Sequence, residues 1–331
     1  MNFQQLRSVR EAVRCGFNLT EVALALHTSQ PGVSRQVREL EEELGVELFV
    51  RSGKRLLGLT TAGKTLLPMV ERVLQETDNL RRAGQDLQGR EEGRLSIAAT
   101  HSQARYALPH VVKDFRLRYP KVTLHLHQGS PKQVAQMLLS GEADIGVATE
   151  ALAEYEPLVT LPCYRWTHSI VLPQAHPLLA LNRPVTLHDL VAWPIITYEV
   201  GYTGRSHIDQ AFAAQGLQPD VVLTAMDADV IKTYVELEMG VGIVASIALD
   251  GERDRHLGVL DAGHLFPVNL TRLGIARSHW LPGFAYGFIE AFVPTLTRDV
   301  VQQALATPQA FKDGTARTAE SGRWRPATPP G

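Results

Sequence analysis

From residue 94 onward the chain alternates strand-like apolar runs with amphipathic helical ones, and the pattern starts over partway along. No other feature restricts the fold as much. "RLSIAAT" reads as a strand, 102–118 as a helix, "VTLHLHQG" as a strand, "SPKQVAQMLLSGE" as a helix and "ADIGVATE" as a strand. Strands joined by crossover helices pair in parallel and bury both sheet faces, so this order predicts a doubly wound parallel sheet. The order restarts with the strand "WPIITYE", the loop and helix "GYTGRSHIDQAFAAQG" and the strand "DVVLTAM". The helix "DADVIKTYVELEMG" and the strand "VGIVAS" follow, and "LTRLGIAR" and "GFAYGFIEAFVPTL" add one more strand and helix. Two α/β lobes are expected, lobe I from 94–164 and 267–302 and lobe II from 165–266, resembling a periplasmic binding protein with a ligand crevice between them. The stretch 303–331 is rich in Ala, Thr, Pro and Gly and reads as a disordered tail.

The first 93 residues have a different texture. Residues 1–60 read as an α-rich winged helix-turn-helix domain. Phe3, Leu6, Val9, Val13 and Phe17 recur at helical spacing, and a second helix is predicted after Asn18. In "HTSQPGVSRQVRELEEELG", Ser29 or Gln30 precedes Pro31, which suits a first helical turn, and Gly45 suits a C-cap. "VELFVRSGKRLLGLT" alternates around a turn-like "RSGK" and reads as a hairpin wing. Residues 61–88 read as one long helix leading, with a hinge, to residue 93. Its apolar face has no partner in so small a domain, so a second subunit is expected to cover it. Pro68 predicts a bend near 64–68.

Bulk properties exclude several classes. No apolar run reaches the roughly 18 residues a membrane span needs. The N-terminus lacks the pattern of a secretory signal, and the two cysteines, Cys15 and Cys163, offer no disulfide framework. A cytoplasmic protein is the expectation. The formal charge of −2 leaves room for a local nucleic-acid site. Charge is segregated along the predicted recognition helix, where Ser29, Gln30, Pro31, Ser34, Arg35 and Arg38 occupy the N-terminal half and acids gather at the far end. Arg51, Lys54 and Arg55 sit on the wing with no acid between them. Polar residues at a recognition helix start can meet base edges while basic ones meet phosphates, so these nine are the candidate contacts to double-stranded promoter DNA. A solvated polar face without a ligand is the alternative, and the basic hairpin and long helix weigh against it.

In lobe I the predicted strands end at Thr100, at Gln128–Gly129 and at Thr149–Glu150, and in lobe II Thr203 begins a helix. Ligands of open α/β sheets bind beyond such strand ends, and helix starts favour anions. Thr100, Ser102, Gln103, Gln128, Gly129, Thr149, Glu150 and Thr203 are therefore the candidate ligand site. Each hydroxyl alone reads first as a helix cap, and only their convergence on one crevice favours a ligand.

The segment "ALALHTSQPGVSRQVRELEEELGVELFVRSGKRLLGLTTAG" closely resembles the winged helix-turn-helix of LysR-type transcriptional regulators. "ATHSQARYALP", "VATEAL", "LPCYRW", "YTGRS" and "DADVIKTYV" resemble the cysteine-regulon subgroup of that family, and the resemblance runs from residue 1 to about 300. It implies a ligand-responsive activator of sulfur-assimilation and cysteine-biosynthesis genes. It also implies a homotetramer, contact with RNA polymerase when activating, and no cofactor. The implied effector is O-acetylserine or N-acetylserine, or sulfate or thiosulfate. By resemblance, Thr100, Ser102, Gln103, Thr149 and Thr203 form the polar pocket, although the subgroup carries threonine where this chain has Ser102. A regulator answering to an alkanesulfonate-related signal is the nearest alternative, and a solute-binding protein is a more distant one.

Other signals count for less. "GVGIVA" enters a strand rather than leaving one, the reverse of a dinucleotide loop. His125 and His127 read as two helix-facing histidines without a third metal ligand. Cys163 reads as a small buried thiol. No catalytic motif is present, so an enzyme is not expected.

Overall fold

The computed structural model describes residues 1–307 apart from Lys54, Gly89, Arg90 and Thr203, together with the backbone but not the side chain of Gln85. The chain divides into two compact units, Met1–Gly89 with Ser278–Trp280, and the remainder.

The first unit contains α1 (Phe3–Arg14), α2 (Leu19–Ala25), α3 (Gln30–Leu44), the hairpin β1 (Phe49–Ser52) and β2 (Arg55–Leu59), and α4 (Thr61–Leu87). Caps fix the helix starts. Asn2 and Gln5 form a capping box, Asn18 accepts from Thr20 N, and Ser29 accepts from Gly32 N at 3.2 Å. Gly45, at φ +69°, ends α3 in the left-handed conformation that residues with a Cβ avoid. Leu6, Val9, Val22, Val33, Val37, Leu40, Phe49, Leu56, Val70 and Leu74 form the core. Phe17 lies beyond the end of α1, at φ +68°, and sets its ring edge-on to Phe49. Gly63 is fixed by close approach, because a Cβ there would lie 2.0 Å from the Leu48 carbonyl oxygen. α4 runs unbroken through Pro68. Val70 and Leu74 are buried, while Met69, Val73, Leu80 and Leu87 remain exposed.

The second unit holds two five-stranded sheets. Lobe I comprises β3 (Gly93–Ala99), a π-helical turn (Gln103–Ala107), α5 (Leu108–Arg118), β4 (Val122–Gln128), α6 (Pro131–Leu139), β5 (Ile145–Thr149) and β6 (Leu158–Trp166). Lobe II follows with β7 (His168–Pro173), α7 (Leu187–Leu190), β8 (Ile195–Tyr198), α8 (Arg205–Ala214), β9 (Val221–Ala225), α9 (Ala228–Glu236), β10 (Val241–Ala245) and β11 (Leu257–Asp261). The chain then returns to lobe I as β12 (Asn269–Ala276), α10 (Gly283–Phe292) and α11 (Arg298–Ala306). The sheet orders are β4-β3-β5-β12-β6 and β11-β7-β10-β8-β9.

Three strands of each sheet pair in parallel, as the βαβαβ order predicts, but each sheet is completed by two strands paired antiparallel, of which β12 in lobe I and β7 in lobe II run against the rest. β12 is the strand expected at "LTRLGIAR", whereas β6 and β7 escaped the pattern because they are separated by a single residue and carry no helix between them. In both lobes the first parallel strand has its successors on opposite sides. The switch points therefore fall between β3 and β5 and between β8 and β10.

Two smaller expectations are corrected. α11 continues past 302 to Ala306 because Val301 and Ala304 pack into the lobe I core, so the tail cannot begin at 303; residues 308–331 lie outside the described residues. His125 is exposed on the edge strand β4 rather than facing a helix, and His127 Nδ1 lies 3.7 Å from Glu142. Gly240 leads into β10, which ends at Ala245, so "GVGIVA" enters a strand as expected.

Candidate DNA interface and candidate effector site

The start of α3 presents Ser29 and Pro31 to solvent, with Gln30 and Ser34 half-buried. Arg38 and, on the wing, Arg55 are exposed. Arg35 projects outward and is steadied by Glu39, its Nε lying 2.6 Å from a carboxylate oxygen. That bond holds the Glu39 carboxyl below the usual carboxylate range. Lys54 is outside the described residues.

Arg51 is placed differently from the expectation. Its guanidinium turns inward to the Glu41 carboxylate at 2.6 Å, and Glu41 also accepts from Leu48 N at 2.8 Å and Phe49 N at 3.1 Å. Glu41 thus joins the end of α3 to the wing, and Arg51 neutralises it. An open pocket of about 420 Å³ at this end of α3 is lined by Glu41, Glu42 and Glu47 together with Arg38 and Arg51. Three carboxylates make it a poor seat for a phosphate.

The candidate effector residues gather at the lobe I switch point between β3 and β5. After β3 the chain turns at Thr100, whose backbone N–H donates to Val147 of β5 at 3.1 Å. The turn tightens into the π-helix, a geometry that clusters at functional sites. Thr100, Ser102 and Gln103 are all buried, at 2%, 1% and 1% exposure. Thr149, at the end of β5, pairs in register with Thr271 of β12, and Thr271 in turn faces Tyr164 of β6. Gln103 Nε2 donates to Thr271 Oγ1 at 3.1 Å, and the Tyr164 hydroxyl donates to Gln103 Oε1. Lobe II contributes Tyr198, whose hydroxyl accepts from Ala245 N at 3.0 Å and lies beside Ser102.

Ser102 and Thr149 stand at helix starts, yet neither makes a side-chain capping bond. Gly204, at φ +70°, begins α8 and packs so closely that a Cβ would lie 2.6 Å from Asn269 Oδ1 and 2.8 Å from His168 Nε2. Around it, the indole N–H of Trp166, Asn269 Oδ1 and His207 Nδ1 are buried without a hydrogen-bond partner among the described residues. Buried polar atoms left in this state are rare and collect where ligands bind. Thr203 is outside the described residues.

Glu150 belongs to the seam between the lobes. It accepts from Leu270 N at 3.1 Å and lies 3.6 Å from His207 of α8. Gly129 backs onto Gln133, while Gln128 is exposed at the end of the edge strand and is not drawn to the others. Tyr164, Trp166, Tyr198, His207, Asn269 and Thr271 were not anticipated. Most lie on strands that return to the sheet from far along the chain, a register no local pattern reveals.

A second tie crosses the lobes. Tyr106, in the π-helical turn, donates to Asp229 of α9 at 2.6 Å, and Arg105 reaches the same carboxylate at 3.3 Å. Burial alone would raise the Asp229 pKa. The Tyr106 bond and the nearby Lys232 and Arg105 outweigh that effect and hold it below its ordinary value. His101, Asp227 and Asp229 bring potential metal ligands within 4.8 Å of one another. Arg105 and Lys232 (3.4 Å) already pair with Asp229, so a cation would enter against two positive charges. Cys163 is half-buried against the lobe I core, and burial pushes its thiol well above the usual range.

Comparison with known proteins follows the same division. Residues 3–64 match the family model described as bacterial regulatory helix-turn-helix protein, lysR family, and residues 88–294 match the LysR substrate binding domain. The chain is 53% identical over 305 residues to the HTH-type transcriptional regulator CysB of Burkholderia cenocepacia, covering 92% of this chain and 97% of that protein. It is 55% identical to SsuR of the same organism, covering 89% and 96% of the two chains. With the regulator cbl of Escherichia coli K12 the identity is 51%, covering 88% and 92%. Among solved structures, the cofactor-binding domain of the Cbl transcriptional regulator superposes with a TM-score of 0.62 at 44% identity, over 65% of this chain and 93% of that one. Full-length CbnR in complex with its target DNA shares the fold, at 20% identity and a TM-score of 0.61, over 90% of this chain and all of that one.

Proposed function

The chain belongs to the LysR family of bacterial helix-turn-helix regulators, and from that premise we propose that it controls sulfur-assimilation and cysteine-biosynthesis genes in response to a small oxyanion or carboxylate held between its lobes. The first unit binds promoter DNA through the start of α3 and the wing. The exposed stripe of α4 pairs two chains, effector lobes join dimers into a tetramer, and the bound regulator contacts RNA polymerase when it activates. The ligand is O-acetylserine or N-acetylserine, opposed by sulfate or thiosulfate.

The observation that carries the pocket is the convergence of Thr100, Ser102, Gln103 and Thr149, all buried, on the lobe I switch point between β3 and β5. Neutral donors and a helix start can hold an anion without a lysine or arginine. Calorimetric titration of N-acetylserine, sulfate and thiosulfate into the wild type and Thr100→Ala tests it, and equal binding by both proteins removes Thr100 from the site. A second reading keeps the site and changes the signal to an alkanesulfonate-related compound. Identities of 53% to CysB and 55% to SsuR are close enough that the preferred ligand distinguishes the two.

A further inference from the structure

Gln103 is 1% exposed, and both ends of its carboxamide are engaged inside lobe I. The amide N–H reaches Thr271 at 3.1 Å, and the amide oxygen takes the Tyr164 proton in a short bond. Thr271 and Tyr164 are direct partners on the antiparallel strands β12 and β6. The phenol donates to the amide oxygen and the amide N–H donates to the threonine hydroxyl, so the carboxamide is held at both ends. Phe292 stands edge-on to the Tyr164 ring, with centroids 6.1 Å apart, and holds it in place. Burial pushes the phenol up from its ordinary pKa, so it keeps the proton that it donates to the amide.

We propose that Tyr164 and Thr271 are positioning residues that lock the Gln103 carboxamide so that only its second N–H is offered to the occupant of the Thr100–Ser102 turn. The proposal rests on the reading of that turn as the effector site. A freely rotating amide presents either its oxygen or its N–H and accepts donor and acceptor ligands alike. A locked one presents a donor alone, so the site selects a charged oxyanion over a neutral isostere that carries N–H groups in its place. The lock is thus a device for specificity. Buried polar groups held in this way discriminate because a mismatched ligand leaves one of them unpaired.

The test compares N-acetylserine with its carboxamide, N-acetylserinamide, by calorimetry on full-length wild type, Gln103→Ala, Tyr164→Phe, Thr271→Val and Thr271→Ser. The wild type should prefer the carboxylate by about tenfold or more. Thr271→Val and Tyr164→Phe should shrink that preference by roughly threefold or more, as expected for loss of one hydrogen bond. Thr271→Ser, which keeps the hydroxyl, should retain it. A purely structural role would lower the Tm and both affinities together and leave the ratio alone. An unchanged ratio in Thr271→Val and Tyr164→Phe, with Gln103→Ala altering it, overturns the lock. Unchanged binding of both ligands by Gln103→Ala overturns instead the site reading beneath it.

Discussion

Arg51 and Arg35 look alike in the sequence, two basic residues on a presumptive DNA face, yet the structure gives them different work. Arg35 extends into solvent, with its side chain 80% exposed, and the Arg51 side chain is 19% exposed against a Glu41 that is 8% exposed. Arg35→Ala should weaken promoter binding and flatten its salt dependence by about one unit of slope, with no change in Tm. Arg51→Ala should destabilise the first unit by roughly 3 kcal/mol, because it strands a buried carboxylate. Thermal denaturation separates the two, and an Arg51→Ala protein as stable as wild type would contradict the assignment. At Gly204 the close approach of Asn269 and His168 and the positive φ act together. Gly204→Ala should lower the Tm, with a cost of about 1–3 kcal/mol, and should weaken sulfate binding in the same titration that tests Thr100.

Among the elements, the π-helical turn carries both Gln103 of the proposed pocket and Tyr106 of the tie to Asp229, so under that proposal it joins ligand contact to lobe contact. Tyr106→Phe removes that hydrogen bond and should speed hydrogen exchange in the turn, for a cost near 1 kcal/mol. Because the Asp229 pKa is held below its ordinary value, the tie is complete above about pH 4 and is lost as pH falls through the lowered value. Exchange in the turn that does not rise under acid would contradict this. On α4, Val73, Leu80 and Leu87 stay exposed on the first unit. Leu80→Glu should therefore shift sedimentation from an oligomer toward a monomer, and a wild type that sediments as a monomer at micromolar concentration would remove the pairing. The helices and parallel strands were legible because their periodicity is local, with caps at Asn18, Ser29 and Thr60 where the composition points to them. The strands β6 and β7, and the pairing that sets Tyr164 beside Thr271, were not. Their meaning comes from a register that joins residues more than 100 positions apart. Glu41 misled for a related reason: its place on the polar end of α3 hid two backbone N–H groups waiting for it in the wing.

The molecule as a whole joins a helix-turn-helix unit to a two-lobed LysR substrate-binding domain. No helix among the described residues is long and apolar enough to cross a membrane. A ligand between the lobes changes the DNA-bound state only by preferring one arrangement of the chain over another. Tighter lobe closure on binding is the arrangement that the Tyr106–Asp229 and Glu150–His207 contacts would favour. The central claim is that the turn at Thr100 is where the signal is sensed. Its most direct test is calorimetric titration of O-acetylserine, N-acetylserine, sulfate and thiosulfate into wild type and Thr100→Ala at matched salt. The account predicts that at least one of these binds the wild type with a single site per chain and loses about tenfold in affinity in the variant. Equal affinities in the two proteins, or no binding by either, would contradict it.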